Sequence, residues 1–403
     1  MEQALSDMKV LDLTWYIAGP YCTKLLADYG ADVIKVEPTG EGDPARRMGP
    51  FLNDEPHLEK SGLFLDLNTN KKSITLNLKS EWGRRAIRDL VKDVDILVEN
   101  FRPGVMEGFG LDYKTLEAIN PRLVMTSISN FGQTGPYRDF RASEIVIYGM
   151  GGAMFCNGLP EKAPLKKALT ATLFQGGVMA ANATMMAYLL AQETGEGQWV
   201  DVSLMETQLG AVDRRMAQLL TFQWNKTVTY REDPKGRQVY PMGIHRCKDG
   251  FFECIGIGVN WPSVGRMMDM PELVDDPRFS NVFAQMQPGN KEAFEVLWIP
   301  WCLEHTKAEI IEKGQKAGVL CGPLASMEEV VADPHWNARG FFAEIDHPVA
   351  GKLTYPGRPI KADDMPWVIR TPAPLLGQDN DEVYGKLGYS KEHLATLRAT
   401  GII

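Results

Sequence analysis

Val10-Leu11-Asp12-Leu13-Thr14 and Ala31-Asp32-Val33-Ile34-Lys35-Val36-Glu37 are two short, largely aliphatic runs, and the residues between them follow a different period. Gly19-Pro20 opens a helix in which Cys22, Leu25, Leu26 and Tyr29 recur at helical spacing, and Gly30 closes it. Strand, helix and strand in that order predict a βαβ unit. Such a unit implies a parallel sheet, because parallel neighbours need a crossover that a tight hairpin cannot supply. The first turn, Trp15-Tyr16-Ile17-Ala18-Gly19-Pro20, lacks the GxGxxG spacing, and Gly149-Met150-Gly151-Gly152 does not lie between a strand and a helix, so a dinucleotide is a weak alternative.

The pattern repeats along the chain. Lys71–Lys79 alternates as a half-buried strand does, Ser80 caps a helix with Trp82, Ala86, Leu90 and Val94 on one stripe, and Asp95–Phe101 reads as a buried strand. Leu123–Ser129 is another strand, running into the glycine-rich loop Asn130–Pro136. The polar stretch Gly40–Glu59 reads as a surface loop. Ala168–Gln192 carries no charge and reaches the length of a membrane span, about 20 residues. Gln175, Asn182 and Gln192 dilute it and no aromatic belt flanks it, so a buried core helix is expected, with Trp199–Leu204 as the strand after it. Met205, Leu209, Val212, Met216 and Leu220 then mark one amphipathic helix.

From Asn225 the texture changes to a β-hairpin around Tyr240–Ile255, followed by short helices rich in tryptophan and methionine. Near Met327 the earlier pattern returns. The expected organisation is α/β: a Rossmann-like large domain formed by both chain ends (residues 1–224 and 326–403) and a smaller α+β domain at 225–325.

Composition limits function. At 403 residues the chain exceeds the size of one core, and 44% hydrophobic with 24% charged residues is ordinary for a globular protein. A formal net charge of −9 argues against nucleic acid, whose binding depends on neutralising phosphates. The six cysteines form no CxxC pair, which predicts reduced thiols, a cytoplasmic setting and no metal centre. The polar, acidic start Met1–Asp7 is unlike a signal peptide.

Seven fragments stand in one family's order: Leu11-Asp12-Leu13-Thr14 with Ala18-Gly19-Pro20, Asp32–Glu37, Asn70–Ser73, Val98-Glu99-Asn100-Phe101-Arg102-Pro103-Gly104, Gly132–Pro136, Thr194–Gln198 and Leu376–Asn380. The chain thereby resembles the class III CoA-transferases over nearly its whole length. The resemblance implies coenzyme A as substrate and product, no metal, and two ring-like chains interlocked like links. It also implies covalent catalysis, in which an aspartate attacks the donor thioester, the released CoA thiolate attacks the resulting anhydride, and the acceptor acid reverses the steps.

That aspartate is missing. Its position falls at Thr172, or one or two residues on at Leu173 or Phe174, and none of these side chains can carry an acyl group. Ile17 replaces a residue that is often polar, and Pro38 and Gly108 stand where the family often has arginine. By position Tyr16, Leu76, Lys79, Asn100, Phe101 and Arg141 would line the CoA channel, with Lys79 and Arg141 facing phosphate. Equally, Lys79 could simply be solvated, Phe101 could be plain core, and Asn100 could cap a turn. Glu144 matches an acidic family position that is not the nucleophile, and a structural role is expected for it. Racemases of this fold use a His and Asp pair, but Ser129-Asn130-Phe131 brings no histidine, and His57 and His245 read as surface residues. The expectation is therefore a noncatalytic subunit interlocked with a homologous, aspartate-bearing partner and acting on an acyl-CoA such as succinyl-CoA and a carboxylic acid. An active transferase that bypasses the acyl carrier, or a CoA-binding scaffold or regulator, are the alternatives.

Overall fold

The chain is described by a computed structural model that covers residues 3–210, 215–231, 240–257, 261–358 and 360–403. It divides into two compact units: residues 1–157, 165–229 and 338–403, and residues 158–164 with 230–337. The first is built on a six-stranded sheet, β1 (Lys9–Asp12), β2 (Asp32–Glu37), β3 (Lys71–Thr75), β4 (Ile96–Glu99), β5 (Val124–Ser129) and β6 (Trp199–Ser203). All neighbours are parallel and the order is β3-β2-β1-β4-β5-β6. Strands added outward from β1 in one direction and from β4 in the other create a switch point between them, where the carboxyl ends diverge and leave a crevice.

Helices cover both faces because successive strand residues point in opposite directions. Val10, Val33, Ile96 and Val124 pack with α1 (Ala18–Asp28), and with a 24-residue helix, Ala171–Thr194, that reaches the same face. Leu11, Val36, Leu97 and Met125 pack on the other face with Ala86, Ile87 and Leu90 of the helix Glu81–Val91, and with Tyr384 and Leu394 from the chain end. The C-terminal segment also covers the outer edge of β3, where the Ser73 N–H donates to Asp379 and the Thr75 N–H to Asn380. Both chain ends thus build the Rossmann-like unit.

Several local expectations are corrected. The strand read at Lys71–Lys79 ends at Thr75 and is almost wholly buried, because the C-terminal segment closes its exposed side. The loop Gly40–Glu59 is not simply surface. Arg46 is fully buried, with its guanidinium on Glu37 (2.7 Å) and Glu59 (2.5 Å) and stacked 3.6 Å from the Phe64 ring. The long, largely apolar helix is not buried all round: Val178, Met179, Met186, Leu189 and Leu190 are exposed, since this chain covers only the face turned to α1 and the sheet. Of the helix expected at Met205–Trp224, Leu204–Gly210 and Arg215–Asn225 are helical, and Val212 lies outside the described residues.

The second unit holds an antiparallel sheet of Met242–Cys247, Gly250–Ile255 and Leu320–Pro323, its first two strands forming the expected hairpin. Trp261, Phe279, Phe294 and Trp298 make its core. His245 belongs to this cluster rather than to the surface. Its Nδ1 accepts the Trp298 indole N–H at 3.1 Å, and burial pushes its pKa down to about 4, leaving the ring neutral.

Candidate active site at the switch point

The residues after β1 and β4 meet across the switch point. Asn100 joins them, its Oδ1 accepting the Trp15 N–H (2.9 Å) and its Nδ2 donating to the Trp15 carbonyl (2.8 Å). Phe101 meets the Trp15 ring edge-on at 5.2 Å. Tyr16 is held at φ 75°, a left-handed conformation costly for an aromatic residue, and its N–H donates to Asp43 Oδ1 at 2.9 Å. Asp43 in turn pairs with buried Lys35 at 2.8 Å.

Below this loop Asp12 is fully buried. It accepts hydrogen bonds from the Thr14 N–H and hydroxyl and from the Thr23 hydroxyl, and lies 3.1 Å from the Lys71 ammonium. Burial alone would raise its pKa, but Lys71, Lys35 and the two hydroxyls outweigh it and bring the value to about 2. The floor of the site is a fixed charge network. Glu99, at the end of β4, behaves in the opposite way: burial dominates over its bonds from Ser127 and the Phe101 N–H, and its pKa rises to about 7.

Two cavities flank this tie. One of about 300 Å³ is lined by Tyr16, Ile17, Asn100, Phe101, Ile128, Asn130, Arg138, Arg141, Glu144 and Leu173, among others. The other, of about 670 Å³, is lined by Trp15, Val36, Pro38, Leu76, Lys79, Val105 and Phe109. Asn100, Phe101 and Arg102 line both. The six residues singled out from the sequence therefore fall on these two walls: Tyr16 and Arg141 in the first, Leu76 and Lys79 in the second, Asn100 and Phe101 in both. Lys79 and Arg141 do not share a cavity. The Asn100 amide is already spent on Trp15, so it shapes the wall rather than offering a free group.

At the start of the long helix it is Leu173 that lines the smaller cavity; Thr172 is buried and is not among the residues of that wall. Gly176 and Gly177 let the helix come close. A Cβ on Gly177 would lie 2.6 Å from the Ala18 carbonyl oxygen, and one on Gly176 would lie 2.2 Å from Leu204 Cδ2. Glu144, first residue of the helix Glu144–Met150, lies in the same wall, nearly buried. Its Oε2 is 2.9 Å from Lys166 Nζ, and Oε1 has no hydrogen-bond partner among the described residues. Arg102 and Arg138 were not singled out from the sequence. Arg102 sits inside a quoted fragment, and its place beside a strand's carboxyl end was the available signal.

Among the described residues no group of three His, Cys, Asp or Glu is arranged to hold a metal ion, and no helix is long and apolar enough to cross a membrane. The arrangement can seat an elongated ligand, with an apolar and arginine-bearing end beside Leu173 and a roomier end beside Lys79. The chain is 32% identical to succinyl-CoA–D-citramalate CoA-transferase of Chloroflexus aurantiacus, over 99% of this chain and 98% of that one. It is 29% identical to the BbsE subunit of succinyl-CoA:(R)-benzylsuccinate CoA-transferase of Thauera aromatica, over 100% and 99%. A solved CAIB/BAIF family protein from Brucella suis superposes with a TM-score of 0.84 at 29% identity, covering 96% of this chain and 100% of that one. The profile of CoA-transferase family III matches residues 5–380, and with the doubly wound sheet and the divided crevice at its switch point, this chain belongs to that family.

Proposed function

We propose that this chain is the noncatalytic subunit of a CoA-transferase that moves CoA between an acyl-CoA, such as succinyl-CoA, and a carboxylic acid, and that a homologous, interlocked chain carries the aspartate. The observation behind this reading is Leu173: the helix start that faces the smaller cavity offers a hydrocarbon, which can neither attack a thioester nor hold an acyl group. The exposed apolar face of the same helix suits a partner that covers it. The acids to test first are dicarboxylates, benzylsuccinate among them, given the relative built with a named subunit. Tyr16, Leu76, Lys79, Asn100, Phe101 and Arg141 line the CoA path in this reading.

The test is to purify the chain alone and with the homologous chain encoded beside it, and to assay transfer from succinyl-CoA to a panel of acids. Activity is expected only for the pair. Transfer by this chain alone overturns the subunit role. One observation favours a second reading, that of an active transferase: Glu144 is among the residues of the same cavity wall, and its buried Oε1 has no hydrogen-bond partner among the described residues. In that case the isolated chain turns over, and Glu144→Gln abolishes the activity.

A further inference from the structure

The three-stranded sheet of the second unit sets two cysteines opposite each other. Cys254 in Gly250–Ile255 is the antiparallel neighbour of Cys321 in Leu320–Pro323, and both are free thiols. Their pairing is of the closer kind. The Leu324 N–H donates to the Phe251 carbonyl at 3.0 Å, so these two form a hydrogen-bonded pair, and alternation along the ladder makes Glu253 with Gly322 the next one. Cys254 with Cys321 and Phe252 with Pro323 are then the non-bonded pairs, and Pro323 fits there because it has no N–H to donate. Non-bonded partners stand about 4.5 Å apart at Cα, inside the roughly 4.4–6.8 Å that a disulfide spans.

We propose that Cys254 and Cys321 are a peroxide-oxidisable pair that closes into a cross-strand disulfide and clamps the strand Leu320–Pro323 to the hairpin. Both side chains face the packed side of the sheet: Cys254 is fully buried in the core that holds Phe252 and Trp298, and half-buried Cys321 packs against that core. Gly314, on the helix Lys307–Ala317, gives the Cys321 sulfur its room, since a Cβ there would lie 2.3 Å from Sγ. On its other side Cys254 pairs with Gly243, which has no side chain to compete. The remaining cysteines of this unit are placed differently. Cys302 belongs to the helix Asn290–Glu304, and Cys247 pairs with Gly250 and donates its S–H to Asp249 Oδ1 at 3.4 Å. Cys321, the more exposed of the pair, meets the oxidant first, while burial holds Cys254 as a thiol with its pKa pushed up to about 12. The Cys321 thiolate attacks one oxygen of hydrogen peroxide, the O–O bond breaks, and the hydroxide that leaves takes up the Cys321 proton as water. The Cys254 sulfur then attacks the Cys321 sulfenic acid, the S–O bond breaks, and the hydroxyl leaves with the Cys254 proton as a second water. Two thiols are oxidised to one disulfide and one peroxide is reduced.

The experiment exposes the reduced full chain to hydrogen peroxide, alkylates the remaining thiols in denaturant, and maps linked peptides by mass spectrometry. Cys254→Ala, Cys321→Ser and Cys302→Ser are treated alongside, with thermal melts before and after oxidation. The expected result is the loss of two of the six free thiols, one linked pair of peptides carrying Cys254 and Cys321, and full reversal by dithiothreitol. Cys302→Ser should keep the link, and Cys254→Ala and Cys321→Ser should lose it. The oxidised parent should melt roughly 5–10 °C higher than the reduced one, because the link closes a long loop. Six thiols still free, a link through Cys302 or Cys247, or Cys321 carried on to sulfinic acid beside a free Cys254 overturns the pairing. A correct link with no rise in melting overturns the clamp. The map of the parent decides the pairing by itself, even where Cys254→Ala fails to fold.

Discussion

Lys166 reaches back from the segment before the long helix so that its ammonium nitrogen lies 2.9 Å from Oε2 of Glu144, the first residue of the helix Glu144–Met150. The same ammonium donates to the Lys167 carbonyl at 3.0 Å and to the Leu169 carbonyl. One cation thus fixes a nearly buried carboxylate and the turn that delivers Leu173 to the cavity. Lys166→Met should lower stability by roughly 1–3 kcal/mol, because it leaves a buried acceptor without its donor. Thermal melts check this. The double variant with Glu144→Gln should lose less than the sum of the two, and additive losses would mean the pair is not coupled.

In the proposed reading Leu173 stands where an acyl acceptor would be, since it lines the smaller cavity. Leu173→Asp should restore one: incubation with an acyl-CoA and then hydroxylamine should give a protein hydroxamate, while Leu173→Asn gives none. If Thr172→Asp forms the adduct and Leu173→Asp does not, the cavity-facing position has been placed one residue too late.

The crossing of α1 with the long helix depends on the missing side chain of Gly177. Gly177→Ala sets a methyl 2.6 Å from the Ala18 carbonyl oxygen, a backbone atom that moves only with its helix, and should cost roughly 1–3 kcal/mol. Gly176→Ala meets Leu204 Cδ2, the end of a side chain that can rotate, and should cost less. Equal losses in chemical denaturation would contradict that difference.

Glu99 makes stability depend on pH. Its folded pKa is about 7 against an ordinary 4.5, so between those values the native state binds the proton that the unfolded chain has released. Stability therefore falls as pH rises from 4.5 to 7 and the penalty is complete above 7, on the order of 3 kcal/mol in total. Glu99→Gln should remove this slope. Melts of both proteins at pH 5 and pH 8 test it: their stabilities should differ more in the glutamine variant's favour at pH 8.

Arg46 should tolerate no neutral replacement. Arg46→Met leaves Glu37 and Glu59 facing each other in the interior without their cation, a loss of roughly 3–5 kcal/mol. Arg46→Lys should recover only part of it, because an ammonium cannot span Glu37 Oε1 and Oε2 as the guanidinium does at 2.8 and 2.7 Å. Equal stability of the lysine variant and the parent, by denaturant midpoint, would show that the fork geometry is unimportant.

The hydrophobic period along Val10–Glu37, Asp95–Phe101 and Leu123–Ser129 determined the parallel sheet and its crossover helices, because that period reflects neighbours only a few residues away. The want of a carboxylate among Thr172, Leu173 and Phe174 was equally legible, since composition alone excludes it. Tertiary structure decided the rest. It turned Leu173 and not Thr172 to the cavity, tied the Asn100 amide to Trp15, and drew Arg46 out of a polar loop into the interior. It also left one face of a long, largely apolar helix exposed. Each of these outcomes depends on groups remote in sequence, such as Glu37 and Glu59 around Arg46 or Trp15 beside Asn100, and a cavity wall or a buried ion pair exists only once the folded chain has brought them within a few ångströms.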